Sequence, residues 1–176
     1  MGFGSDGASV NLGRRSGFVK KLDEFVGGRN LYSVWCMLHR LELAIKAAIK
    51  ENPNINTIDD IITILTKFYN SRSYKRKAHL RAHALRENLD LYELHYAFRE
   101  RWVMSDYTAV KAVVKGWQLF VSNLADIQTE SDFRSDWDIA KGIENQLVSR
   151  SFVLCIHFLF DLLEWLKRFS LVLIGY

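Results

Sequence analysis

Residues 34–50 read VWCMLHRLELAIKAAIK, and the fold turns on where this stretch changes its period. Val34 and Trp35 close the run LYSVWC (residues 31–36), which is short, apolar and rich in β-prone side chains, as a buried strand would be. From Leu41 the apolar positions Leu43, Ala44, Ala47 and Ile49 follow helical spacing. Cys36 and His39 stand three apart at the junction. Such a pair supplies two of the four ligands a zinc ion takes, and His79 and His83, four apart and so on one helix face, would complete a set of one cysteine and three histidines. Natural structural zinc sites usually carry more cysteine. The plainer expectation places Cys36 in the core as a small apolar side chain and His39 against nearby backbone.

Outward from this corner, helix signals dominate. The single proline, Pro53, leaves long stretches free of the residue that most disrupts helices. Upstream, residues 1–13 are glycine-rich and read as the end of a strand entering a loop, and Phe18, Leu22, Phe25 and Val26 are spaced for a helix that stops at Gly27–Gly28. Downstream, NPNINT (residues 52–57) reads as a loop with Thr57 as N-cap of a helix whose stripe is Ile58, Ile61, Ile62, Leu65, Phe68 and Tyr69. A basic helical stretch follows. LDLYELHYAFRERWVM (residues 89–104) fits either helix or extended loop. Ser105 is placed to cap a helix carrying Val110, Val113, Val114, Trp117, Phe120, Val121 and Leu124, QTESDFRS (128–135) interrupts, and Ser135 is placed to cap a long helical region to about Phe169.

The bulk numbers narrow the function classes. With 49 % apolar and 13 % aromatic residues among 176, the chain can bury a sizeable core and is not of disordered composition. Two cysteines are too few for a disulfide framework and point to a reducing compartment. A net charge of +4 permits nucleic-acid contact. No basic region followed by an apolar run opens the sequence, and Asp6 stands where a myristoylation pattern wants Ser or Thr. The apolar run FVLCIHFLFDLLEWLKRFSLVLIGY (152–176) is interrupted by Asp161, Glu164, Lys167 and Arg168, so it reads as a core helix with one polar edge and not as a membrane span.

Three groups of residues carry chemistry. Asp6, in GSDGAS, is a carboxylate of the kind that holds a divalent metal at a strand end, although Asp-Gly is also an ordinary turn. Arg72, Lys75, Arg76, Lys77 and Arg81 form a basic run with no acid until Glu87, suited to phosphates or simply to solvent. Arg101–Trp102 is either core or a base-stacking platform. Arg72-x6-His79 loosely fits the signature of small helical RNases of the HEPN class. A P-loop, a Gly-x-Gly-x-x-Gly loop, a Cys-x-x-Cys pair and a Ser-His-Asp order are all absent from the sequence.

Four pieces in one order carry a resemblance: SDGASVNLGRRSGFVKKL (5–22), WCMLHRLELAIKAAIK (35–50), LTKFYNSRSYKRKAHL (65–80) and RERWVMSDYTAVKAVVKGWQLFVSNL (99–124). With SFVLCIHFLFDLLEWLKRFSLVL (151–173), they resemble the middle of hAT-family transposases and the cellular zinc-finger proteins derived from them. The resemblance implies an RNase H-like core interrupted by a helical insertion, with three acids for metal-dependent DNA cleavage. Asp6 then resembles the second acid, Cys36 and His39 match the Cys/Asp-x2-His motif, and Arg101 and Trp102 match the Arg-Trp motif.

The first and third acids lie outside the match, and one acid of three cannot assemble a two-metal site. The expectation is therefore a mostly α chain, with a short β-containing remnant of an RNase H-like core (1–50) and a truncated helical insertion domain (51–176). Its implied role is a domesticated or truncated transposase-derived protein without transposase activity. It would retain DNA or protein binding, be nuclear or otherwise cytoplasmic, and need no cofactor, Mg²⁺ entering only with a full acidic triad. The alternative is a helical interaction or dimerisation module with no nucleic-acid role, whose exposed apolar helices, at Phe158, Phe160 and Trp165, bind a protein partner or a second copy.

Overall fold

The computed structural model describes residues 2–5, 11, 13, 17–27, 32–70, 74–97 and 103–174. Asp6, Arg72, Arg101 and Trp102 lie outside the described residues. The chain is mostly α-helical and divides into two units, Met1–Ala47 with Ser170–Tyr176, and Ala48–Phe169.

In the first unit, strand β1 (Gly2–Ser5) pairs in parallel with β2 (Tyr32–Trp35), Gly2 opposite Tyr32 and Ser5 opposite Trp35. Helix α1 (Phe18–Phe25) lies between them in sequence, the order that a parallel pair requires because a hairpin cannot make it. Helix α2 (Met37–Lys50) starts straight after β2. Cys36 is exposed at that start and its carbonyl accepts the Arg40 N–H at 3.1 Å, so the expectation of a core cysteine is corrected: the residue begins a helix.

The second unit is a stack of helices: α3 (Pro53–Asn70), α4 (Tyr74–Arg86), α5 (Val103–Lys115), α6 (Trp117–Ile127), a 3-10 turn (Ser131–Asp136), α7 (Trp137–Leu147) and α8 (Arg150–Ile174), which belongs to this unit as far as Phe169. The α3 stripe expected from sequence is buried at every position, Ile58, Ile61, Ile62, Leu65, Phe68 and Tyr69, and packs against α4, α5 and α7. The start of α3 differs from expectation. Asn52 is the cap, its Oδ1 accepting the N–H of Asn54 at 3.0 Å, and Pro53 occupies the first helical position. Proline is favoured there because its missing N–H is one the helix leaves unpaired anyway. Thr57 lies within the helix and donates to the Pro53 carbonyl at 3.0 Å.

The C-terminal end of α4 is closed by Asn88 at φ 52, with Leu89 N–H donating to the Ala84 carbonyl at 2.9 Å, a left-handed cap of the Schellman kind. Residues 89–97 are neither helix nor strand. Thr66 Oγ1 and Asn70 Nδ2 of α3 donate to the carbonyls of His95 and Leu94, which fixes this segment and buries Leu94 and Ala97. Periodicity runs unbroken from Val110 to Leu124, yet the helix breaks at Gly116. A Cβ there would lie 2.7 Å from the Phe120 ring and 2.9 Å from the Ala112 carbonyl, so the close approach demands glycine. Helix α5 begins at Val103, two residues ahead of the expected Ser105 cap, and the region expected as one helix from Ser135 is divided at Val148–Ser149. No single helix among the described residues is long and apolar enough to cross a membrane.

Candidate functional site: a polar seam and a basic face on one helix

Helix α4 buries only Leu80, His83 and Ala84, too little apolar surface to hold it by hydrophobic contact alone. Polar contacts do much of the rest. His79 and His83 are one turn apart and face α6, where Ser122, Asn123 and Asp126, with Glu130 just beyond, recur near helical spacing. His79 Nε2 lies 2.9 Å from Glu130 and its Nδ1 2.9 Å from Asn123 Nδ2. His83 Nδ1 lies 2.8 Å from Asp126 Oδ2 and its Nε2 2.8 Å from Ser122 Oγ. Arg86 also bonds Asp126. Its hydrogen bond to Glu87, helped by the Asp126 charge, holds the guanidinium above its ordinary pKa.

The network fixes the direction of each hydrogen bond. Tyr69, fully buried, donates to Asn123 Oδ1 at 2.9 Å. Asn123 therefore turns its amide N–H toward His79 Nδ1, which must accept, and this leaves the ring proton on Nε2 to be donated to Glu130. Tyr69, Asn123, His79 and Glu130 form a chain in which each residue donates one proton to the next. Ligand atoms of His79, Asp126 and Glu130 come within 4.8 Å of one another, close enough for a metal. An ion on His79 Nε2 would have to displace that proton and reverse Asn123, leaving the Tyr69 hydroxyl without its acceptor. The geometry is that of a closed protein network.

At His83 the carboxylate of Asp126 can only accept, so the Nδ1 proton lies between them, and Arg86 Nη2, 2.7 Å from the same nitrogen, directs its own proton to Asp126. Ser122, His83 and Asp126 thus have the connectivity of a hydrolase relay. Ser122 sits mid-way along α6, where neighbouring backbone N–H groups serve the helix and cannot form an oxyanion hole. The trio clamps α4 to α6. Sequence reading misses it because its partners are about forty residues apart, although the shared four-residue spacing on both helices is the available signal. Of the candidate zinc set, His79 and His83 are engaged in side-chain hydrogen bonds of the second unit, and Cys36 and half-buried His39 belong to the first.

Burial pushes the Tyr69 phenol above its ordinary pKa. Above about pH 10 the unfolded chain releases this proton while the folded chain keeps it, so stability falls as pH rises, by about 1.4 kcal/mol per pH unit from this group. Urea unfolding at about pH 9 and about pH 11 should show a smaller alkaline loss in Tyr69→Phe than in the parent.

The basic run divides between two faces of α4. Lys75 reaches Asp132, by its carbonyl at 2.6 Å and its carboxylate at 3.5 Å, and Arg76 reaches Asp136 at 3.1 Å and the Phe68 carbonyl at 2.8 Å. Lys77 and Arg81 point elsewhere. They border a cleft of about 200 Å³ with Tyr69, Asn70, Leu80 and residues 91–94.

No protein-family model matches the chain, and no solved structure matches it.

Proposed function

We propose that the chain derives from a hAT-family transposase and acts as a nuclear DNA-binding module that does not itself cut DNA. The order of sequence motifs supports the descent, and the parallel β1–β2 pair running into α2 at Cys36 and His39 is read as the remnant of an RNase H-like core. The observation that carries the binding role is the pair Lys77 and Arg81, one turn apart beside an open cleft. Neither makes an ion pair among the described residues, unlike Lys75, Arg76 and Arg86. Cations so placed would neutralise adjacent phosphates and release counterions. Asp6 is a vestige of a catalytic acid in this reading, and no cofactor is required.

Fluorescence anisotropy with a duplex oligonucleotide, titrated across salt, tests it. Lys77→Glu with Arg81→Glu should weaken binding at least about tenfold and make the log–log salt slope shallower by roughly 2. Unchanged affinity would remove the role from this face. The matched pair Lys75→Glu with Arg76→Glu should act on stability instead, since it turns two intramolecular ion pairs into repulsions.

A further inference from the structure

Helix α8 has three faces. Phe152, Ile156, Leu159 and Leu163 are buried in the second unit. Asp161, Glu164 and Arg168 form a polar edge. A third face is apolar and exposed: Phe158 69 %, Leu162 40 %, Trp165 70 % and Phe169 52 %. At 100° per residue its centre lies about 120° around the helix from the buried stripe. Phe160, grouped with this surface in the sequence reading, belongs elsewhere: it stacks on Tyr107 at 5.6 Å.

The exposed residues are separated by four, three and four positions, the a/d spacing of a helix that packs along another helix. We infer that this face binds the same face of a second copy, as an antiparallel helix pair about a two-fold axis. Such an axis near Leu163–Glu164 sets Leu162 opposite Trp165 of the second copy and Phe158 opposite its Phe169, so every layer joins an a to a d position. Asp161 and Arg168 flank the seam on one edge, seven residues apart and opposite in charge. Antiparallel pairing brings that edge against its own equivalent, so Asp161 of each copy meets Arg168 of the other. Parallel pairing would instead set each against the position five residues further on, Leu166 and Leu173.

The area is sufficient. Three largely exposed aromatic side chains, each burying roughly 150–250 Å² when fully covered, contribute on the order of 400 Å² per copy. Leu154, Leu162, Asp161 and Arg168 bring the face toward the ~800 Å² per partner of an ordinary stable interface. The contact is isologous, so it closes at two copies. It is independent of the DNA-binding role assigned to α4.

Sedimentation equilibrium on the full chain tests this inference. A dimer is expected, and Phe158→Glu with Trp165→Glu should raise its dissociation constant on the order of 100-fold with an unchanged far-UV circular dichroism spectrum. Asp161→Arg alone should weaken the dimer about tenfold, and adding Arg168→Asp together with Glu164→Gln, which removes the carboxylate that Arg168 pairs with on its own helix at 2.7 Å, should restore it. Lys77→Glu with Arg81→Glu should leave it intact. A chain that stays monomeric, or a dimer indifferent to the paired Glu substitutions, overturns the inference. So does a monomer that floats with anionic phosphatidylserine vesicles, which would give the face to a membrane surface. A charge swap without recovery overturns the antiparallel register.

Discussion

Phe120→Ala is expected to lower the unfolding free energy by about 4 kcal/mol, the loss typical of emptying a packed aromatic site. Phe120 is fully buried, its ring is 5.9 Å from that of Tyr69, and it fills the space against which Gly116 is drawn. The same geometry makes a second measurement decisive. Gly116→Ala alone pushes a methyl group to 2.7 Å from the Phe120 ring and should cost about 1–3 kcal/mol as overpacking. In the Phe120→Ala background that clash is gone, so the two changes together should cost less than their sum. Additive losses in urea unfolding would show that Gly116 is fixed by its backbone neighbour, the Ala112 carbonyl, and not by the ring.

The next largest effect belongs to Asn123. Asn123→Leu keeps the volume but leaves the Tyr69 hydroxyl without an acceptor and His79 Nδ1 without a donor, both inside the protein. Each stranded group costs about 1–3 kcal/mol, so a loss of about 3 kcal/mol is expected. Tyr69→Phe removes one of the stranded groups, and the double variant should be more stable than Asn123→Leu alone by about 1 kcal/mol. If it is less stable, the Tyr69–Asn123 hydrogen bond is not the source of the penalty.

These two sites mark where sequence reading succeeds and where it stops. The α3 stripe is legible because one helix face meets the core throughout, so burial and period coincide. The Gly116 break is not legible, because the apolar positions on either side keep one period and only the close approach of the Phe120 ring and the Ala112 carbonyl excludes a side chain. Asn52–Pro53 looks like a loop because asparagine and proline are turn residues, yet the same pair is a cap followed by a first-turn proline. The basic run reads as one uniform patch because its acidic partners, Asp132 and Asp136, are remote in sequence. Three-dimensional proximity divides it into cations engaged within the molecule and cations beside a cleft. Phe158 and Trp165 are legible as a surface, but Phe160 is not separable from them without Tyr107. The mostly α class is readable from proline scarcity and helical spacing alone.

The double service of Asp126 constrains how this sequence can drift. One carboxylate answers both His83 and Arg86, so any replacement without an acceptor breaks two contacts in a single step and strands the donor of buried His83, while Arg86 keeps Glu87 and solvent. A neutral path to a residue without an acceptor must alter position 83 of α4 before position 126 is free to change. By contrast Leu85, which points away from the seam and is largely exposed on the same helix, carries no such constraint. Substitutions on α4 should therefore accumulate on one face and arrive in coupled sets on the other, a pattern that relatives of this chain would display as covariation between positions 83, 86 and 126.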